Sequence, residues 1–158
     1  MQNRMKQFSL TREEIDRVLE SQLVGRISTI GADGYPYTVS VHYYYDGESV
    51  YFHGLPVGEK IANIKACDKV CFEVSELKSV MDPAKGDEVC TADAEYESVV
   101  IRGRAQILSD PEEKRPIFQK IVAKYLPHME TYTMPENMVK GAAVVKISIE
   151  SITGKYHK

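Results

Sequence analysis

Alternating apolar and polar residues dominate the chain and predict a mainly β protein. The clearest run extends from Pro36 to Tyr45, where Tyr37, Val39, Val41 and every second residue after them share one face. A period of two is typical of a strand with one buried face. Shorter or similar patterns predict five further strands, at 26–30, 49–53, 70–74, 96–108 and 143–150.

Two stretches show helical spacing instead. Thr11 and Glu14 have the order of a capping box, which predicts an N-terminal helix within residues 1–22. Asp110 and Glu113 flank a similar helix start with a proline at its first position. A short third helix is predicted at 59–65. The apolar stripes of the two longer helices comprise Ile15, Val18 and Leu19, and Ile117, Phe118, Ile121, Val122 and Tyr125.

Turn signals connect the first three strands into a predicted meander. Gly31 to Gly34 separates the first two strands, and Asp46-Gly47 is typical of a tight hairpin. The polar stretch 76–93 lacks any period and predicts a long loop. No repeat or linker divides residues 1–158, so the order of elements predicts a single domain, a small and mostly antiparallel barrel with flanking helices.

Composition limits the classes of function. The formal net charge of −3 argues against general binding to nucleic acid or an acidic membrane. No apolar run approaches the roughly 18 residues of a membrane span, and the N-terminus lacks a signal-peptide core, so a cytoplasmic location is expected. The three cysteines, Cys67, Cys71 and Cys90, lack metal or redox spacing and are expected to be buried free thiols.

The segment from Tyr51 to Lys60 is the most informative for chemistry. A strand ends at His53-Gly54, and after Gly58 a helix begins with Lys60 in its first turn. Free N–H groups at a helix start, together with a lysine, suit a phosphate. An ordinary strand–helix turn with a surface lysine explains the same spacing, and the two interpretations stay open here.

Other candidate residues have equally plain alternatives. His53 lies at the start of this turn, where it is either a catalytic residue or an ordinary satisfied or solvent-facing side chain. Arg102 and Arg104 share one face of a strand and either meet a ligand or partner chain or form a solvated edge. The ten tyrosines serve either ligand stacking or core packing. The sequence contains no P-loop, nucleophile elbow or dinucleotide fingerprint.

Several segments together resemble one family. They are Val24-Gly25-Arg26-Ile27-Ser28-Thr29, Gly34-Tyr35-Pro36-Tyr37, Tyr51-Phe52-His53-Gly54 with Gly58 and Lys60, Tyr96-Glu97-Ser98-Val99-Val100 with Gly103 and Ala105, and Ile152-Thr153-Gly154-Lys155. In this order they resemble the nitroimidazole-resistance flavoproteins, a branch of the pyridoxamine 5'-phosphate oxidase-like superfamily. The resemblance covers nearly the whole chain and implies an FMN-binding split β-barrel that forms a homodimer with the flavin at its interface.

The resemblance also implies where the flavin would lie. Val39, Ser40, Val41 and His42 would follow the isoalloxazine ring, and His53, Gly54 and Lys60 would lie near the phosphate and ribityl chain. Ser98, Val99 and Arg102 would border the cleft, in the partner chain or the same one. His53 takes the position of a family histidine near the flavin, which makes it the candidate catalytic residue. Family members often have proline where this chain has Ser40.

Two functions are compatible with these expectations. The first is an FMN-dependent oxidoreductase that reduces nitro compounds or other small electron acceptors. The second is a non-catalytic protein of the same fold that holds FMN, another flavin-like cofactor or haem for sensing or storage. The sequence identifies neither the substrate nor the electron donor.

Overall fold

The computed structural model describes residues 7–83 and 92–157 and contains a curled antiparallel sheet with flanking helices. The strands are β1 Gly25–Ile30, β2 Pro36–Val41, β3 Tyr43–Tyr45, β4 Ser49–Gly54, β5 Lys69–Met81, β6 Asp93–Leu108 and β7 Ala143–His157. The described helices are α1 Arg12–Ser21, α2 Glu59–Ala66, α3 Pro111–Tyr125 and α4 Glu136–Gly141, with a 3-10 turn at Pro127–Met129. The predicted mainly β, antiparallel fold class is confirmed.

The sheet curls because one bent strand supplies both of its edges. The strand order is β2-β1-β5-β6-β7-β4-β3, so that β2 and β3 lie at opposite ends although only His42 separates them in the chain. The predicted meander is therefore only half right. β2 pairs with β1 and β3 pairs with β4, but the strand bends at His42 and carries the chain from one edge to the other.

The core fills the inside of the curl. Ile27, Tyr43, Phe52, Phe72 and Val99 are fully buried there, and the apolar faces of α1 and α2 pack against them. The predicted alternation in the second strand is confirmed, because Val41, Tyr43 and Tyr45 are buried while their neighbours face outward. A second, smaller cluster lies beneath α3 and α4 and contains Leu108, Phe118, Val139 and Val144.

Three strands are longer than predicted. β5 continues to Met81 and β6 begins at Asp93, so most of the stretch 76–93 that the sequence predicted as loop is strand within the described residues. β7 likewise runs on to His157. Past Val74 the side chains of β5 are half-buried or exposed. This part of the strand therefore lacks the alternation of buried and exposed residues from which a strand is predicted. These ends are held by pairing between distant segments, such as Leu77 opposite Tyr96.

The small residue Gly103 marks a close approach of two backbones. A Cβ added at this position would lie 2.2 Å from the carbonyl oxygen of Ser148 on β7. The register between β6 and β7 shifts at the same point, between Arg102 and Gly103. The close neighbour of Gly103 on this face is therefore the backbone of β7.

Helix starts follow the predictions with one change. Thr11 Oγ1 accepts the N–H of Glu14, and Glu14 Oε2 accepts the N–H of Thr11, which is the predicted capping box. Asp110 caps α3, but its carboxylate accepts from Glu112 N–H and not through the predicted box. No helix among the described residues has the length and apolar character needed to span a bilayer.

The cysteine prediction is confirmed in part. Cys67 and Cys71 are free, but both are half-buried rather than buried. Partial burial raises the pKa of the Cys71 thiol, although the nearby Arg102 acts in the opposite direction. Cys90 lies outside the described residues.

Candidate functional site

A groove of about 340 Å³ lies where the bent strand, β4 and the start of α2 meet. Its lining residues are Val24, Ser40, Val41, His42, His53 and Lys60. Five of the residues predicted from the sequence to bind a cofactor or act in catalysis are therefore joined in one place: Ser40, Val41, His42, His53 and Lys60. Val41 borders the groove although its side chain belongs to the core.

The start of α2 gives the groove an anion-binding character. Gly58 precedes the helix with φ +116°, a conformation that favours glycine. The N–H groups of Ile61 and Ala62 both donate to the carbonyl of Gly58, and the N–H groups of Glu59 and Lys60 have no backbone acceptor among residues 7–83 and 92–157. Because Lys60 of this first turn lines the groove, the positive end of the helix lies beside it.

Lys60 brings a lysine amine to the groove lining. A Cβ built on Gly54 would lie 3.5 Å from Lys60 Nζ, which places the amine above the end of β4. The same nitrogen lies 5.7 Å from the ring centroid of Phe52. Among residues 7–83 and 92–157, no carboxylate lies within 4.0 Å of Lys60 Nζ. An anionic ligand would therefore meet a cation that no described acidic group neutralises.

His53 and His42 approach the groove from β4 and from the bend of the second strand. Both residues are exposed to solvent. Partial burial of the His53 ring, assisted by the nearby positive character of His42 and Lys60, lowers its pKa below the ordinary histidine value. At neutral pH the imidazole of His53 is therefore neutral, with one ring nitrogen able to donate and the other able to accept a hydrogen bond.

Helix α3 contacts two residues of the groove lining, a role that the sequence did not assign to it. Phe118 meets the ring of His53 edge to face at 5.5 Å, and Tyr125 stacks on His42 at 4.7 Å. Both aromatic residues belong to the predicted apolar stripe of this helix. Val24 was likewise not assigned to the site. The apolar stripe predicted that these residues are buried. Nothing in its spacing indicated that they would contact two histidines from distant parts of the sheet.

Strand β2 lies along the groove as an edge strand. Ser40 faces outward, whereas Val39 is half-buried against the core. The side chains of Val39 and Val41 therefore point away from a ligand, and these two positions offer mainly backbone groups. An edge strand leaves N–H and C=O groups on its open side, which suits hydrogen bonding to the edge of a planar ligand.

The remaining predicted cofactor residues lie elsewhere in the same chain. Ser98 and Arg102 do not line the groove. The pairing register places Ser40 opposite Arg26, Arg26 opposite Glu73 and Glu73 opposite Val100, so both residues lie three strands across the sheet from Ser40, on β6. Val99 is fully buried in the core.

Arg102 faces a separate cavity of about 540 Å³ on the outside of the sheet. The cavity is also lined by Ser28, Ile30, Pro36, Cys67, Lys69, Val70, Cys71, Gly103 and Glu150. Arg104, two residues farther along, forms ion pairs with Asp68 and Glu150. Because β6 is the central strand of the sheet, Arg104 lies on a solvated face and not on the solvated edge that was one of the two interpretations. One protomer thus contains the His42–Lys60 groove and the Arg102 cavity as two separate features.

The tyrosines divide between the two roles that the sequence left open. Tyr43, Tyr45 and Tyr51 are buried and pack in or beside the core. Tyr125 is half-buried and contacts a groove residue directly. Burial therefore accounts for Tyr43, Tyr45 and Tyr51, whereas Tyr44 of the third strand is only half-buried.

Known proteins resemble this chain in both sequence and structure. A reductase of Streptomyces rimosus subsp. rimosus that acts on 5a,11a-dehydrotetracycline and 5a,11a-dehydrooxytetracycline is 34% identical over 111 residues, which cover 67% of this chain and 70% of the reductase. The structure of a candidate 5-nitroimidazole antibiotic resistance protein from Bacteroides thetaiotaomicron superposes with TM-score 0.82 at 22% identity, covering 94% of this chain and 86% of that one.

A flavocytochrome, Anf3 of Azotobacter vinelandii, superposes with TM-score 0.86 at 19% identity over 99% of this chain and 72% of its own. At such identities the two structural likenesses show the fold, which is the expected split β-barrel. Residues 11–156 match the profile of the family described as pyridoxamine 5'-phosphate oxidase. Because that match spans nearly every described element, the chain belongs to the pyridoxamine 5'-phosphate oxidase family.

Proposed function

We propose that this protein is a flavin-dependent oxidoreductase that binds FMN in the groove formed by His42, His53 and Lys60. The observation that carries the proposal is the convergence of these three basic side chains on the open N-terminus of α2. Three elements from separate parts of the chain meet there. An ordinary turn with a surface lysine would not explain why two histidines line the same groove as the lysine.

The donor set of the groove fits the phosphate of FMN. Lys60 supplies a charge, and the free N–H groups at the start of α2 supply hydrogen bonds. Gly58 permits the backbone turn that exposes those groups. We place the phosphate and ribityl chain at His53, Gly54 and Lys60, and the flavin ring along Val39, Ser40, Val41 and His42.

The chain's own residues would bind, orient and shield the cofactor. Bound FMN would supply the redox chemistry, since no side chain in the groove can carry two electrons. The edge backbone of β2 would hydrogen-bond the ring, and the hydroxyl of Ser40 adds a polar group where many relatives have proline. The neutral ring of His53 could hold or pass a proton at one of its nitrogens, which is the catalytic role we assign to it.

A homodimer completes the proposed site. A groove of about 340 Å³ is at the low end for an organic ligand of this size. Because Arg102 and Ser98 lie far from the groove of their own chain, we infer that they reach the flavin of the partner chain. The Arg102 cavity and the exposed Ile30 and Val100 offer the surface for that contact.

We propose small, electron-poor organic molecules, nitro compounds among them, as substrates. Support comes from the two relatives, one named as a reductase of dehydrotetracyclines and one as a nitroimidazole resistance protein. The test is to mix flavin-loaded protein anaerobically with reduced nicotinamide cofactor and then with a nitroaromatic or a quinone. Bleaching of the flavin followed by reoxidation on addition of the acceptor supports the enzyme.

A non-catalytic flavin- or haem-binding protein is the second candidate. It is favoured by the likeness to a flavocytochrome over 99% of the chain and by the lack of a carboxylate among the described residues that line the groove. In the same experiment this protein would stay yellow with reduced nicotinamide cofactor, or would bind haem in preference to flavin.

A further inference from the structure

Helix α3 contacts both histidines of the groove, each through one aromatic ring. Tyr125 and His42 stack with centroids 4.7 Å apart and planes inclined by 28°. Phe118 meets His53 edge to face, with centroids 5.5 Å apart and planes at 65°. Phe118 and Tyr125 are two helical turns apart, so they lie on the same face of α3. One helix face therefore determines the surroundings of both imidazole rings.

The hydroxyl of Tyr125 adds a second attachment next to His42. It accepts the N–H of Tyr43 at 2.8 Å and lies within donating distance of the carbonyl oxygens of Leu23, at 2.7 Å, and Tyr43, at 2.9 Å. Leu23 precedes Val24 and Tyr43 follows His42, and both Val24 and His42 line the groove. Tyr125 thus holds the backbone next to Val24 and His42, and it also holds the ring of His42.

The other aromatic residue belongs to a rigid platform. Phe118 is buried in the cluster with Leu108, Val139 and Val144, which packs α3 and α4 against the outside of the sheet. An exposed histidine on a strand can rotate about its side-chain torsions and loses this freedom when it binds a ligand. If the ring is already held in one orientation, less conformational entropy is lost at binding. Contacts to a fixed helix remove that freedom.

We propose that Phe118 and Tyr125 are positioning residues of the groove, through which α3 holds the rings of His53 and His42 in the orientations that face a bound ligand. The identity of that ligand as FMN rests on the proposed function, whereas the positioning does not. Neither aromatic residue lines the groove, so each acts through the histidine that it touches.

The test compares Tyr125→Leu, Tyr125→Phe and Phe118→Leu with Tyr35→Leu, a control at an exposed turn residue. NMR signals of the histidine ring protons are recorded in the ligand-free protein over a pH series. Tyr125→Leu should move the His42 signals downfield, because the shielding of the stacked ring is lost, and should leave those of His53 nearly in place. Phe118→Leu should move the His53 signals and raise the pKa of His53 toward its ordinary value.

Affinity for FMN provides the second readout. Loss of one aromatic contact should weaken FMN binding about two- to tenfold. Tyr125→Phe, which keeps the ring and removes the hydroxyl, should retain the stacked His42 signals and lose less affinity than Tyr125→Leu. The control should change neither readout.

Two results would overturn the positioning. One is that the histidine signals stay unmoved in Tyr125→Leu and Phe118→Leu. The other is that all histidine signals shift together, as in a general loss of packing. If the signals move selectively but no variant or parent protein binds FMN, the proposed function fails while the positioning stands.

Discussion

Lys60 is the residue on which the phosphate assignment depends most. Replacing it with alanine removes a charge-assisted contact, so Lys60→Ala should weaken FMN binding about 10- to 100-fold. Riboflavin lacks the phosphate and should lose little. Lys65→Ala, at the exposed far end of α2, is the matched control. Calorimetric titration with both ligands measures the difference, and equal losses for FMN and riboflavin would remove Lys60 from the phosphate site.

Sequence reasoning located part of the site at the residue scale and missed the rest for a physical reason. His53, Gly54 and Lys60 are close in the chain, so a strand end followed by a helix start was enough to place them together. Phe118 and Tyr125 reach the site only through the docking of α3. A helical stripe predicts which residues are buried, but not which strand they will be buried against.

At the scale of elements, one ion-pair network fastens α1 to the sheet. The carboxylate of Glu97 is 3% exposed and contacts Arg17 at 2.6 Å and Lys78 at 2.9 Å. Burial alone would raise the pKa of Glu97, but the hydrogen bonds from Arg17 and Lys78 outweigh it and lower the pKa. A carboxyl with a lowered folded-state pKa stabilises the fold above its unfolded-state pKa.

Glu97→Gln should therefore reduce the free energy of unfolding by about 1–2 kcal/mol at neutral pH, since both partners remain partly exposed. The difference from the parent should shrink as the pH falls below the ordinary glutamate pKa of about 4.3 and through the lowered folded-state pKa of Glu97. Thermal unfolding at several pH values measures this. Arg104→Gln, in an exposed network, should leave the midpoint nearly unchanged. A pH-independent difference for Glu97→Gln would contradict the electrostatic explanation.

The crossing of β6 and β7 at Gly103 has no room for a side chain. Gly103→Ala would force Cβ against the Ser148 carbonyl, and overpacking of this kind costs about 1–3 kcal/mol. Gly141→Ala is the control, because no atom lies within 4 Å of its added Cβ. Denaturant unfolding should show a loss of stability in the first variant and none in the second. Equal stability of both variants would mean that the two strands separate easily.

Element types were predictable from the chain, but element lengths were not. In the first half of β5, around Phe72 and Val74, every second residue is buried, as is typical of a strand. The second half, after Val74, shows no such alternation. Leu77 there is exposed and is held only by pairing with a segment about 20 residues away. The bend at His42 was also hidden, because the alternation of faces continues through it without a break.

For the whole molecule, the separation of Arg102 from the groove predicts a homodimer with shared sites. Light scattering should give twice the chain mass of 17.8 kDa. Lys60→Ala and Arg102→Glu should each bind FMN weakly alone. After subunit exchange, mixed dimers regain one intact site, with Lys60 and Arg102 from different chains. A monomeric mass, or no recovery after demonstrated exchange, would contradict shared sites.

The absorbance spectrum of the purified protein, with identification of the released chromophore, tests the central claim most directly. The account predicts a yellow protein whose flavin is released on denaturation as FMN. If the protein is isolated without cofactor, added FMN should appear in the spectrum as bound flavin and raise the unfolding temperature, since a ligand of the native state must stabilise it. A colourless protein whose unfolding temperature FMN leaves unchanged would contradict the account.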